Sequence, residues 1–279
     1  VKTAQKMYHE ISPETGEFID FMIDHELMDL QNKPGKASTG YMTSLPSLKA
    51  PFVFSCFNHT IFDMQVLTHE LGHAFAGYMA MRSQPISDYY SESTDIAEIH
   101  SMSMEQFAYP YAEWFFGDQA DKFRFAHLQE ALTFVPFGVA VDEFQHICYA
   151  HPELTPKERT YQWHLLEEKY MPWRRYENDP FMERGGYWYH KLHIYLYPFY
   201  YINYTLTTMG AMEFKKKYAE DKRTAWQDYL KLCKTGGSRS YLETLRYANL
   251  ANPFEAGSVE RACGYAEKIL LEQIAKQEQ

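Results

Sequence analysis

"THELGHAFAG", residues 68–77, decides how the rest of this 279-residue chain is read. Residues four apart share a face of a helix, so His69 and His73 can reach one ion together. Glu70 stands next to the first histidine and can face a water bound to that ion, the arrangement of an HExxH metal motif. A helix is predicted from about Ile61 through Arg82, which carries all three side chains. A second stretch, "HELMD" at residues 25–29, repeats His-Glu-Leu. His25 and Asp29, however, have no further ligand at a suitable downstream spacing. The apolar positions around them (Phe18, Phe21, Met22, Leu27, Leu30) predict a packed helix from about Ala4 to Leu30.

Catalytic zinc takes three protein ligands and keeps one position open. Two carboxylates compete for the third place. Glu92 follows His73 with eighteen residues between them, a spacing that resembles the zinc aminopeptidases; Glu98 follows with twenty-four between. Glu92 lies in "DYYSEST", where a third helix begins and an acid commonly complements the helix dipole. Glu98 lies inside that helix, in "TDIAEIHSMSME", and a helix interior holds a ligand more rigidly. Glu98 is therefore preferred. Glu105, two turns later on the same face, and Asp95 are candidates to accept the second ring N–H of a ligating histidine. The plain alternative for both is an ordinary solvated acid, and for Asp95, the weaker candidate, a charge at the helix N-terminus.

Composition narrows the classes. With 37 acidic against 27 basic residues, the chain carries a charge of -10, which argues against nucleic acid or an anionic membrane as partner. The 23 tyrosines read first as core filler with a polar tip. Cys56, Cys148, Cys233 and Cys263 form no CxxC pair and read as reduced, buried thiols of a cytoplasmic protein. No apolar run has the length of a membrane span, and no signal peptide is visible. The sequence opens at Val1 inside a helical pattern, as a piece of a longer protein would.

Most of the remainder reads as helix: a third from Ser91 or Ser93 to about Phe116, then 119–150, 156–170, 187–210, 211–234, 240–249 and 258–275. "APFVFSCF" at 50–57 is the best strand candidate and stands almost alone. "NKPGKASTG", "SQPISD", "MPWRRYENDP" and "KTGGSRS" interrupt the pattern as loops. No repeat or linker divides the chain, so a single mainly α unit over 1–279 with a small sheet is expected. His59, His127, His146, His151 and His164 have no ligand-like spacing and are expected on the surface or satisfied in the core.

The residues also resemble a known family. "HELGHAF" followed by "SESTDIAEIHSMSMEQF" is similar to the thimet oligopeptidase and oligoendopeptidase F family of zinc metallopeptidases, in its oligoendopeptidase F and Pz-peptidase branch. "IDHELMDLQNKPGKASTGYMT", "HIYLYPFYYINYTLTTMGAMEF" and "KTGGSRSYLETLRYANL" resemble further segments of that family. The likeness covers nearly the whole chain, but only the catalytic C-terminal half of such enzymes; the N-terminal helical half is absent. One departure is His100, where many relatives carry Pro.

The resemblance implies a zincin-like, mainly α catalytic domain with a small β-sheet beside the active-site helix. It implies one Zn²⁺ on His69, His73 and Glu98, with Glu70 as general base, and His193, Tyr200 and Tyr204 lining the reacting carbonyl. The expected activity is endopeptidase hydrolysis of internal bonds in short oligopeptides by Glu-assisted attack of a zinc-bound water. Tyr200 and Tyr204 are four apart, and Pro198 can kink the backbone that carries them. His190 could compete with His193, and Gly236-Gly237 could form a loop near the bound peptide or a plain turn. The expected partners are oligopeptide substrates and the N-terminal half of the same enzyme, without which little activity is expected. An aminopeptidase using Glu92, or a non-catalytic peptide-binding helical protein, are the alternatives.

Overall fold

In the computed structural model, residues 1–37, 39–58 and 60–277 are described, with the side chain of Gln277 left aside; His59 lies outside the described residues. The chain divides into two compact units, Val1–Leu128 with Thr207–Gln279, and Gln129–Leu206.

The first unit begins with α1 (Lys2–Ile11) and α2 (Pro13–Asp24). The single helix expected from Ala4 to Leu30 is broken at Ser12-Pro13. A residue before proline is pushed out of the α region, and Ser12 is extended (φ -164°, ψ 163°). Its hydroxyl accepts from the Thr15 N–H while the Thr15 hydroxyl accepts from the Ser12 N–H, so the break becomes a capped start. The expected helix also ends early, because Met28–Gln31 forms strand β1. Periodicity over so short an apolar run does not separate strand from helix, and long-range pairing decides.

The partner is β3 (Ala50–Phe57), which is central in a three-stranded sheet of order β1-β3-β2, with β2 at Tyr41–Leu45. β1 runs parallel to β3 (Met28 opposite Val53) and β2 antiparallel (Thr43 opposite Phe52). Pro51, Val53 and Ser55 form the buried face of β3, while Phe52, Phe54 and Cys56 are half-buried on the other.

The long helix α3 (Phe62–Ser83) packs against this sheet on one side. On others it meets α4 (Thr94–Phe107) and, further along the chain, the helix Lys222–Thr235. Buried on nearly every face, α3 needs small residues at close approaches. A β-carbon on Gly72 would lie 2.6 Å from the Ser101 Cα of α4. The third helix expected to reach Phe116 ends at Phe107, followed by a 3-10 turn at Tyr109–Tyr111 and a single α turn at Glu113–Phe116.

The long helix α5 (Ala120–Ala150) contains the first boundary between units. The second unit holds α6 (Pro156–Tyr170), capped by a Thr155/Glu158 box, around a core of Phe137, Phe144, Trp163 and Trp188. Its expected helix over 187–210 is three pieces: a 3-10 turn at Gly186–His190, one α turn at Leu192–Leu196, and α7 (Ile202–Glu220). Pro198 has no N–H to continue a helix, and Phe199 takes a positive φ of 61° with its N–H donated to Gln145 Oε1 (2.8 Å).

The first unit resumes within α7 and continues through α8 (Lys222–Thr235), α9 (Tyr241–Tyr247) and α10 (Ser258–Gln277). Its core gathers Tyr8, Phe18, Phe75, Phe107, Phe214 and Tyr229. No described helix is long and apolar enough to cross a membrane. All four cysteines are free thiols, with Cys233 buried and the others partly so.

Candidate metal centre

The expected helix around His69 is present, and two turns of it face α4. The contact at Gly72 lets the helices approach until Glu98 comes between the two histidines. Glu98 Oε2 stands 3.1 Å from His69 Nε2 and 3.2 Å from His73 Nε2. One donor atom from each of these residues lies within 4.8 Å of the others. Among the described residues this is the only group of three or more His, Cys, Asp or Glu so arranged. Ser101 donates to Glu98 Oε2 (2.9 Å) and holds the carboxylate from its own helix.

Electrostatics follow from burial and pairing. Burial pushes the Glu98 pKa up, but the hydrogen bonds from His69 and His73 more than offset it, leaving it far below the usual carboxylate range. His69 is likewise opposed by burial, yet its bonds to Glu105 and Glu98 carry it well above the ordinary histidine value. Glu105 accepts from His69 Nδ1 through Oε1 at 2.6 Å. Burial would raise Glu105 too, but hydrogen bonds from His127 and His69 hold it at about 2. Asp95 has no hydrogen bond to either histidine; it lies in the first turn of α4.

Glu70 is 7 % exposed, and burial raises its pKa. Its Oε2 is buried without a hydrogen-bond partner among the described residues. Gly40, just before β2, leaves room for it: a β-carbon there would lie 3.0 Å from Glu70 Oε1. Glu92 turns elsewhere. Its Oε1 is 3.2 Å from the Nδ1 of the buried His100, and the pair stands outside the three-residue group.

In the second unit, His193, Tyr200 and Tyr204 form one aromatic cluster. The His193 ring lies 6.1 Å from that of Tyr200 and 5.9 Å from that of Tyr204, and the two tyrosine rings are 5.4 Å apart. The backbone differs from the one-helix expectation: Tyr200 sits in the break after Pro198, and Tyr204 in the first turn of α7. Burial and, next, the charge of Lys191 lower the pKa of His193. His190 is engaged with the carbonyl of Tyr187. Gly236 and Gly237 form a packed turn in the first unit: a β-carbon on Gly236 would meet the Tyr89 oxygen at 2.0 Å.

His127, expected on the surface or satisfied in the core, is in the core, but its particular partners were not anticipated. It is 7 % exposed and its Nε2 lies 2.5 Å from Glu105 Oε2, beyond the three-residue group. No spacing signal links it to "HELGH"; only the fold of α5 onto α4 does.

With this geometry in view, comparison with known proteins assigns the class. Residues 5–264 match the model of peptidase family M3, and the chain belongs to that family. Particular relatives are oligopeptidases. The chain is 25% identical to an oligoendopeptidase F homolog of Borreliella burgdorferi over 229 residues, 80% of this chain and 38% of that protein. The solved structure of Pz peptidase A with an inhibitor superimposes with a TM-score of 0.89 at 49% identity, covering 97% of this chain and 48% of the other. A structure described as an oligoendopeptidase F matches with a TM-score of 0.89 at 50% identity, covering 96% and 47%. The chain thus spans less than half the length of the proteins it matches.

Proposed function

We propose that this chain is the catalytic part of a zinc-dependent endopeptidase that hydrolyses internal bonds of short oligopeptides. The observation that carries the reading is the convergence of His69, His73 and Glu98 donor atoms within 4.8 Å beside a buried Glu70. Two imidazole nitrogens and one carboxylate oxygen suit zinc, and three protein ligands leave a position open for chemistry. A structural zinc would take a fourth protein ligand. When bound, zinc supplies Lewis-acid polarisation and acidifies its water to a pKa of about 7.

The chain's own residues do the rest. Glu70, buried and with a free oxygen lone pair, takes a proton from the attacking water as the new C–O bond forms. It then delivers that proton to the leaving amine as the C–N bond breaks, so no net charge is left behind. Burial raises the proton affinity of the Glu70 carboxylate, which suits it to accept a proton from water. We assign His193, Tyr200 and Tyr204 to hydrogen bonding of the developing oxyanion, on the family resemblance and the donor chemistry of their side chains. Oligopeptides are the proposed substrates, the cytoplasm the proposed setting, and the helical half that completes the relatives' length the proposed partner.

Replacing Glu70 with Gln tests this. Zinc content should persist while cleavage of an internally quenched peptide falls by about 10²–10⁴-fold, the usual share of general acid–base catalysis. Unchanged cleavage would refute the general-base assignment. An amino-terminally blocked peptide should be cleaved as well as a free one.

A further inference from the structure

We propose that His127 and Tyr109 are positioning residues for the His69–His73–Glu98 site: acting through Glu105, they fix which nitrogen of His69 faces the metal. The inference rests on the metal-site reading above and extends it two residues outward.

Four side chains form one continuous line. His69 Nδ1 meets Glu105 Oε1 at 2.6 Å, Glu105 Oε2 meets His127 Nε2 at 2.5 Å, and His127 Nδ1 meets the Tyr109 hydroxyl at 2.5 Å. They come from α3, α4, the turn after α4 and α5, so no local sequence pattern could have joined them. Glu105 is 6 % exposed, and His127 and Tyr109 are 7 % each.

The line has a direction. A carboxylate only accepts hydrogen bonds, so each imidazole must present an N–H to Glu105. His69 therefore carries a hydrogen on Nδ1 and turns Nε2, the nitrogen 3.1 Å from Glu98, toward the ligand group, where a bound metal would take the Nε2 lone pair in place of the hydrogen shared with Glu98. His127 carries its hydrogen on Nε2. A neutral ring then has a lone pair on Nδ1, which the Tyr109 hydroxyl satisfies by donating. Reversing the His127 tautomer would set a lone pair against the carboxylate, and a buried unsatisfied acceptor is costly. Tyr109 thus selects the tautomer of His127, His127 holds the second oxygen of Glu105, and Glu105 orients His69.

The outer end is itself anchored. Arg124 donates twice to the Tyr109 carbonyl (3.1 and 2.8 Å), and the Lys215 amine sits 3.6 Å from the Tyr109 ring centre. Phe123 stacks on His127 at 5.6 Å with 8° between the planes. The ring that abuts Glu105 therefore has little freedom to turn.

The test uses the whole chain and two readouts that do not need turnover. The first is zinc affinity by chelator competition for wild type, Tyr109→Phe, His127→Leu, His127→Gln and His73→Ala. Loss of an outer partner of a metal ligand costs about 10–100-fold in affinity. Tyr109→Phe should weaken binding by about tenfold and His127→Leu by more. His127→Gln, which can still offer an N–H to Glu105, should recover part of the loss. Phe214→Leu, a buried core change, should lower the melting temperature without changing zinc affinity, separating positioning from general loosening. The second readout is nitrogen NMR of the metal-free wild type, where His127 should be the Nε2–H tautomer and His69 should carry hydrogen on Nδ1.

Affinities within twofold of wild type for folded Tyr109→Phe and His127→Leu, with His73→Ala strongly impaired, would overturn this inference alone. So would a His127 found as the Nδ1–H tautomer. If His73→Ala binds zinc as tightly as wild type, the metal-site reading fails and this inference with it.

Discussion

Gly72 of α3 faces Ser101 of α4 so closely that a β-carbon on Gly72 would lie 2.6 Å from the Ser101 Cα and 3.0 Å from the His100 carbonyl oxygen. The obstacle is backbone, which cannot swing aside as a side chain can. Gly72→Ala should therefore push α4 away, with an overpacking cost of about 1–3 kcal/mol. Because Glu98 rides on α4, zinc affinity should fall in the same variant. Thermal unfolding with chelator titration checks both. A variant of unchanged stability and affinity would show that the helices can separate without consequence.

The tyrosine cluster yields a kinetic prediction. If Tyr200 and Tyr204 donate to the oxyanion, replacing either with Phe should lower kcat by about 10²–10³-fold with little change in KM. Zinc content should not change. Tyr197, 59 % exposed on the same segment, serves as the control, and its Phe variant should keep full activity. Equal effects at all three positions would mean the segment contributes packing rather than catalysis.

Acid should destabilise the metal-free chain through Glu105. A carboxyl whose pKa is lower in the folded state adds stability that is present above its unfolded value and lost as pH falls through its folded one. For Glu105 that window runs from an unfolded value of about 4.3 down to about 2. Glu98 acts with the same sign. His69 has a raised pKa, so its share is present below the unfolded value of about 6.5 and lost as pH rises through the folded value. Denaturant midpoints measured across pH in the presence of chelator should therefore drop on the acid side. In Glu105→Gln the acid arm should be shallower.

Lys215 gives a slope of the same sign as Glu105, but at higher pH. Burial, and then the charge of Arg124, push its amine down to about 7. The Tyr109 ring 3.6 Å away favours the charged form, but burial prevails. Between about 7 and the unfolded value of about 10.4, the unfolded chain binds the extra proton, so this group makes stability rise with pH. Lys215→Met should be more stable than wild type at pH 7, and the advantage should shrink toward pH 10. Parallel pH curves for the two proteins would refute a strained amine at this position.

How much could be read from the chain alone varied with the range of the interaction. "THELGHAFAG" is local: a helix brings residues four apart together whatever surrounds it, so His69, Glu70 and His73 share one helix as expected. Glu98 was chosen over Glu92 by its place inside a helix, and the fold brings Glu98 to the two histidines while Glu92 pairs with His100. Where the reading failed, distant partners intervened. Met28–Gln31 reads as the end of a helix until β3 supplies its hydrogen bonds, and the 187–210 stretch reads as continuous until Pro198 and the Gln145 contact break it.

Residue type and local spacing set the chemistry on offer: two histidines and a glutamate on one helix, a carboxylate on the next, and a tyrosine-rich segment downstream. Periodicity and residue type are properties of neighbours along the chain, and they survive any packing. Packing between distant segments was needed for "HELMD" to lead into a strand, for Gly72 to let α3 and α4 close on Glu98, and for Glu105 to join His69 to His127 and, through it, to Tyr109. Those outcomes depend on backbone approaches and hydrogen bonds between residues far apart in sequence, for which no spacing rule exists.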